Sequence, residues 1–223
     1  MLLTRLIRSG IFFLAAVFFL SGGLAGGEEI QVDNLQNSST GELPEGWKTY
    51  PFHKYKAKRV YKVSENAGRR YIQAVDDKDI SVPIFKDFDW DIKKYPYLKF
   101  RWRAQKIPEG ARETHPDTND SACGVYVGFS RTSALKYVWS AALTPGSYWA
   151  KNPGKFSIIS KEVGSEHLGR WRDVTVDVTK DYQMTFEKPL GKNPIGIGVM
   201  TDGNAVHKPA ACDYADFRIS SQP

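Results

Sequence analysis

Arg101 and Arg103 project together from one side of the segment Pro96 to Ala104, while Leu98, Phe100, Trp102 and Ala104 project from the other. Two residues of strand separate the guanidiniums by about 7 Å. Arginines so placed can donate to hydroxyls or to a carboxylate, and an aromatic beside them offers a sugar ring a stacking surface. Gly124, Tyr126 and Gly128 alternate along a second segment, and Gly196, Gly198 and Met200 along a third. Glycines at such positions leave room for a flat ligand or for another backbone. The expected ligand-binding residues are Arg101, Arg103, Asp120, Tyr126, Trp139 and Trp149. Each also has an ordinary structural reading. The arginines can pair with Asp173 or Asp177, and the glycines can lie beneath neighbouring aromatics. Tyr137 and Trp139 are core residues if Leu135 points inward. Trp149, in the loop 143–154, can simply cap the end of the fold.

Catalytic chemistry finds less support. The chain has no Gly-x-Ser-x-Gly, no His-Glu-x-x-His and no phosphate-binding glycine loop. His53, His115, His167 and His207 are dispersed, none at metal-ligand spacing. Glycoside hydrolysis needs two carboxylates facing one bond, and the alternating segments are poor in Glu. No catalytic residue is assigned. A lyase would use Arg101 to neutralise a uronate, with Asp120, Tyr126 and His115 nearby and Tyr or His as base. Asp117, Asn119, Asp120, Asp202, Asn204, Asp213 and Asp216 are hard oxygen donors of the kind calcium takes. They lack EF-hand spacing, and Asp202-Gly203-Asn204 reads as a turn. No cofactor or metal is therefore expected, a structural calcium being the open alternative.

The elements that must position these residues are strands. Alternation recurs over residues 59–63, 70–75, 96–104, 122–129, 135–140, 155–161, 171–178, 195–201 and 211–220, with turn signals between them. Asn66-Ala67-Gly68 marks a hairpin. Only residues 180–186 read as a helical turn. In 223 residues, 19 Gly and 12 Pro are close to the average of folded proteins, which excludes collagen-like and low-complexity chains. No internal repeat points to a propeller. The class expected is all-β, a single two-sheet antiparallel sandwich, jelly-roll-like, over residues 46–220, after a loose lead-in at 26–45.

Residues 1–25 read as a signal peptide. Arg5 and Arg8 precede the ten-residue apolar run Ile11 to Leu20, and Ser21 to Gly27 is rich in small residues. The run is half the length of a spanning helix; an uncleaved anchor is the rival. Removing residues 1–25 leaves 29 Lys and Arg against 25 Asp and Glu, a net charge of +4. The location expected is periplasmic or secreted, with no membrane span after signal removal and no nucleic-acid partner. Export and an even count favour a Cys123–Cys212 disulfide. Strand parity opposes it: Cys212 is out of phase with Phe217 and Ile219, so a bulge near Asp213 or Tyr214 is required unless the strand begins after Cys212.

Seven spaced signatures occur in one order. They are Pro96 to Arg103, Asn119-Asp120 leading into Gly124 to Phe129, Leu135 to Trp139, Gly169-Arg170-Trp171, Asp181-Tyr182 with Phe186, Ile195 to Asp202, and Ala211 to Phe217. In these the chain resembles, over about residues 45–220, the bacterial exported family known as domain of unknown function 3047. The resemblance implies a secreted β-sandwich of no established activity, more distantly similar to galactose-binding-like carbohydrate modules. It also implies paired acids and an arginine near 119–124. Here Asn119 and Gly124 stand at the first-acid and arginine positions, and Asn204 at a later acid. The function expected is an exported, non-catalytic sandwich that binds a glycan or another cell-envelope ligand. The alternatives are a polysaccharide lyase or hydrolase using the same face, and a structural docking subunit of an envelope assembly.

Overall fold

The computed structural model describes residues 27–223, so the expected signal segment lies outside the described residues. In chain order the elements are β1 (Glu29–Gln31), α1 (Lys54–Val60), β2 (Tyr61–Asn66), β3 (Arg69–Asp76), β4 (Ile84–Asp87), β5 (Tyr97–Lys106), β6 (Ser121–Ser130) and β7 (Ser133–Ser140). Then follow β8 (Tyr148–Asn152), β9 (Phe156–Val163), β10 (Arg172–Asp177), α2 (Val178–Phe186), β11 (Gly196–Asp202) and β12 (Ala210–Ser220). The first sheet runs β10-β5-β12-β3-β2, with β1 on the C-terminal part of β12; the second runs β4-β11-β6-β7-β9-β8. The two sheets form the sandwich that the alternation predicts. One pair, β7 with β9, is parallel, because β8 intervenes and joins the far side of β9.

β5 shows how the pattern becomes a layer. Leu98, Phe100, Trp102 and Ala104 are all buried between the sheets. Trp102 meets Trp139 of the facing sheet with ring centroids 6.1 Å apart, and Phe100 stacks on Phe217 at 5.8 Å. Burying one such aromatic contributes about 2–3 kcal/mol. α2 closes one end: Asp177 caps it by accepting from the Lys180 N–H at 2.9 Å, and Tyr182 packs edge-on against Phe129 at 4.7 Å. One set of buried hydroxyls is paired across the layers. The Tyr214 hydroxyl accepts from the Gly124 N–H at 3.1 Å and lies 2.7 Å from the Thr201 hydroxyl.

Cys123 and Cys212 form the disulfide, with Cα atoms 5.4 Å apart. It staples β6 of the second sheet to β12 of the first. A register shift between Ala215 and Arg218, rather than near Asp213 or Tyr214, resolves the parity conflict. Asp216 there adopts φ 58°, the left-handed conformation that Asp tolerates better than most residues. Cys212 and Tyr214 before the bulge, and Phe217 and Ile219 after it, are all buried.

Four elements escape the period-two reading. Residues 59–60, expected as strand, end α1, whose Ala57 and Val60 form an inward stripe at i and i+3. The loop expected over 143–154 contains β8, which therefore carries Trp149 on an edge strand. β4 is only four residues long, and β1 only three. β1 falls within the expected lead-in and pairs with β12.

Candidate ligand-binding groove

Sheet register aligns one outward row across all six strands of the second sheet. Phe85 of β4 lies opposite Gly198 of β11, Gly198 opposite Tyr126 of β6, and Tyr126 opposite Lys136 of β7. Lys136 lies opposite Ile158 of β9, and Ile158 opposite Trp149 of β8. Six strands at their usual spacing make this row about 24 Å long. The adjoining row is small through its middle: Asp87, Gly196, Gly128, Ala134, Phe156 and Asn152. Two neighbouring hollows, about 670 and about 560 Å³, lie on this face and share Tyr50, Phe85, Tyr126, Ser130 and Arg131. Gly128, Gly196 and Gly198 floor the larger one, and Lys151, Asn152 and Phe156 line the smaller.

The glycines have local reasons. A Cβ on Gly198 would stand 2.7 Å from the Phe85 ring, so Gly198 seats that ring. A Cβ on Gly124 would stand 2.6 Å from the Lys136 side chain, so Gly124 lets the lysine stem lie across β6. Both therefore sit beneath side chains of neighbouring strands. Gly128 would meet only Ile195, at an ordinary 3.5 Å. The Lys136 cation thereby reaches the space above Gly124 from the adjacent strand.

Below the groove lies a buried ionic cluster. Lys136 Nζ is 3.9 Å from Asp202 Oδ1, with both side chains almost fully enclosed. Burial pushes Asp202 up to about 6, against the pull of Lys136. Burial disfavours charge on Lys136 too, but Tyr126, Asp202 and Glu113 hold it protonated, above the ordinary lysine range. The lysine is 5.5 Å from the Tyr126 ring centroid. Burial also raises Asp120, whose Oδ2 accepts from the Val206 N–H at 2.8 Å. Lys151 on the rim is lowered by burial and by the charge of Lys136.

The six expected ligand residues fall in different places. Tyr126 and Trp149 share the outward row of the second sheet. Asp120 is wholly buried and anchors the 203–209 loop, which corrects its expected place as a ligand contact. Trp139 is also corrected: it is a core residue with no exposed surface, and its Nε1 donates to the Gly164 carbonyl at 3.0 Å. Arg101 and Arg103 lie on the outer face of the first sheet, on the other side of the sandwich from Tyr126. Arg101 Nε is 3.0 Å from Asp173 Oδ1, and Arg103 Nη2 is 2.7 Å from the buried Asp213. Both guanidiniums also face the Trp171 ring, at 5.3 and 4.8 Å. These arginines engage carboxylates of their own sheet, including Asp173 as the ordinary reading expected. Tyr50, Phe85 and Phe156 escaped sequence reasoning. Phe85 sits in a strand too short to show alternation, and Tyr50 lies outside any strand.

Among the groove-lining residues the ionisable side chains are Lys48, Asp87, Arg131 and Lys151, besides Tyr50 and Tyr126. The one carboxylate, Asp87, is ion-paired with Lys48. Among the described residues no group of three or more His, Cys, Asp and Glu side chains is placed to hold a metal ion. A larger crevice, about 810 Å³, opens at the sandwich edge beside Ile30, Phe88 and Ile195, with Asp87, Asp89 and Asp91 in its wall. It lies between loops and strand ends, whereas the groove is built from outward side chains of one sheet.

The model of the family described as "Protein of unknown function (DUF3047)" matches residues 45–218, and the chain belongs to that family. No curated protein matches it in sequence. Among solved structures, a family 29 carbohydrate-binding module complexed with cellulohexaose is similar at 10% identity and TM-score 0.40, covering 88% of this chain and 92% of the module. A family 29 module from Piromyces equi stands at 11% and 0.37, covering 87% and 91%. The family 11 module of a cellulosomal cellulase of Clostridium thermocellum stands at 9% and 0.41, covering 86% and 94%. At these scores no site or ligand carries over.

Proposed function

We propose that this member of the family is an exported, non-catalytic binding module that holds a carbohydrate chain in the groove of its second sheet. The observation that carries this reading is the aromatic lining of Tyr50, Phe85, Tyr126 and Phe156, bordered by a glycine floor and by the polar rim of Ser130, Arg131, Lys151 and Asn152. Sugars present apolar ring faces and a polar periphery, and aromatics flanked by donors match both. A lone carboxylate already tied to Lys48 leaves the groove without the facing acid pair that glycoside hydrolysis uses. Export rests on the signal-like residues 1–25 and agrees with a disulfide, which persists in oxidising compartments.

A glycan array probed with the protein lacking residues 1–26, followed by calorimetry on each hit, tests the reading. Tyr126→Ala is expected to weaken binding at least tenfold, the scale of losing one aromatic contact. Arg103→Ala on the opposite face should leave binding unchanged. Binding lost with Arg103→Ala and kept with Tyr126→Ala would move the site to the first sheet. Shortened products after prolonged incubation would make the protein an enzyme.

A further inference from the structure

Residues 46–64 contain Lys48, Lys54, Lys56, Lys58, Arg59 and Lys62, and no acidic residue. Lys48 pairs with Asp87, and Lys58 with Glu42. Among the described residues Lys54, Lys56, Arg59 and Lys62 make no ion pair; Glu42 is the acid whose field reaches Lys54. Among the described residues, the same segment bears the most exposed aromatics: Phe52 at 102% relative exposure, Tyr55 at 74% and Tyr50 at 52%.

Phe52 is held there by the backbone. The His53 N–H donates to the Tyr50 carbonyl at 3.1 Å, closing a turn with Pro51 at its second position and Phe52, at φ 65°, at its third. A turn of that form ordinarily takes Gly or Asn at the positive-φ position. A phenylalanine there accepts backbone strain and packs against nothing. α1 follows directly. Its Ala57 and Val60 face inward, which turns Tyr55, Lys58 and Arg59 outward and sets Lys54 and Lys56 on the flanks. The result is a convex knob with an apolar tip inside a collar of cations.

We propose that this knob docks the protein peripherally on an anionic phospholipid bilayer. Phe52 and Tyr55 would enter the headgroup layer while the collar pairs with lipid phosphates. Charge complementarity selects this partner: juxtamembrane cations each strengthen attraction to an anionic surface by about fivefold, and amphipathic aromatics settle at the interface. A polymer chain would be met by a groove, whereas this feature projects. The docking elements, Phe52 and the outward face of α1, do not line the groove, although Lys48, Tyr50 and Pro51 of the same segment do.

The two-sheet fold lies wholly within residues 27–223, so protein lacking residues 1–26 is the reagent. It is sedimented with vesicles of equal parts phosphatidylglycerol and phosphatidylcholine, and with vesicles of phosphatidylcholine alone. Binding to the anionic vesicles should be at least tenfold stronger and should fall with added salt. Phe52→Ser removes a side chain that touches nothing, so its melting curve should be unchanged or higher, while its partition should drop about tenfold. Lys54→Glu with Lys56→Glu should reduce partition further. Equal binding to both vesicle types, or an unaltered Phe52→Ser variant, overturns the proposal. Soluble alginate that displaces the protein from vesicles as readily in Phe52→Ser as in the wild type would instead assign the patch to an acidic polymer. Tyr126→Ala should keep vesicle binding, which separates this surface from the groove.

Discussion

Replacing Cys123 and Cys212 together by alanine removes the staple between the two sheets. The cysteines are 89 positions apart in sequence. In the chain-entropy model, opening a loop of that length releases about 4.5 kcal/mol of unfolded-state constraint at 25 °C. Both side chains are fully buried where β6 faces β12, so truncation also removes packing, at about 1 kcal/mol in all. For a domain of this size each kcal/mol moves the midpoint by about 2–4 °C. The expected drop is therefore roughly 10–20 °C, read by calorimetry under non-reducing conditions. Wild-type protein unfolded in reductant should show most of that loss. Its denaturant slope should also steepen, because an unlinked chain exposes more surface. Two titratable thiols per chain in non-reducing denaturant, or a midpoint change under about 3 °C, would refute the reasoning.

Asp33 is buried, accepts from Trp47 Nε1 at 3.2 Å, and is pushed up to about 6, mainly by burial. Its folded-state pKa exceeds the unfolded value, so the fold binds its proton more tightly and stability falls as pH rises from about 4 to 6. Asp202 acts in the same sense. Thermal midpoints at pH 5 should exceed those at pH 7.5 by an amount equivalent to about 1–3 kcal/mol, and Asp33→Asn should flatten that slope; an unchanged slope would remove Asp33 as its source. Glu187, exposed, ends α2 at φ 55°, so Glu187→Gly should raise stability by about 0.5–1 kcal/mol in urea melts. Gly198→Ala must displace the Phe85 ring or the Ile84 carbonyl, which lies 3.1 Å from the added Cβ. It should destabilise by about 1–3 kcal/mol in the same assay.

Where alternation ran for six residues or more, local sequence was sufficient. β3, β5, β6, β7, β9 and β11 lie where period two places them, because a half-buried strand must alternate to bury one face. The hairpin at Asn66-Ala67-Gly68 and the Asp177-capped helix rest on equally local chemistry. Export-compatible cysteine usage was legible in the same way. Short or mixed signals were not. β4 and β8 hold too few residues to show a period, and α1 reads as either helix or strand until Ala57 and Val60 find a core beneath them.

Alternation determines that Arg101, Arg103 and Tyr126 point away from a core, but it carries no information about which of two sheets a strand joins. Strand order is settled by long-range pairing, and it sets the arginines and Tyr126 on opposite sides of the sandwich. Tertiary structure likewise decided that Trp139 faces Trp102 while Trp149 faces outward, since both are aromatics in strands of uncertain phase. Parity called for a bulge in β12, but its place, at the single left-handed residue Asp216, is revealed only by the partner strands. The groove is itself a tertiary object: its lining is contributed by six strands that the chain visits in the order β4, β6, β7, β8, β9 and β11.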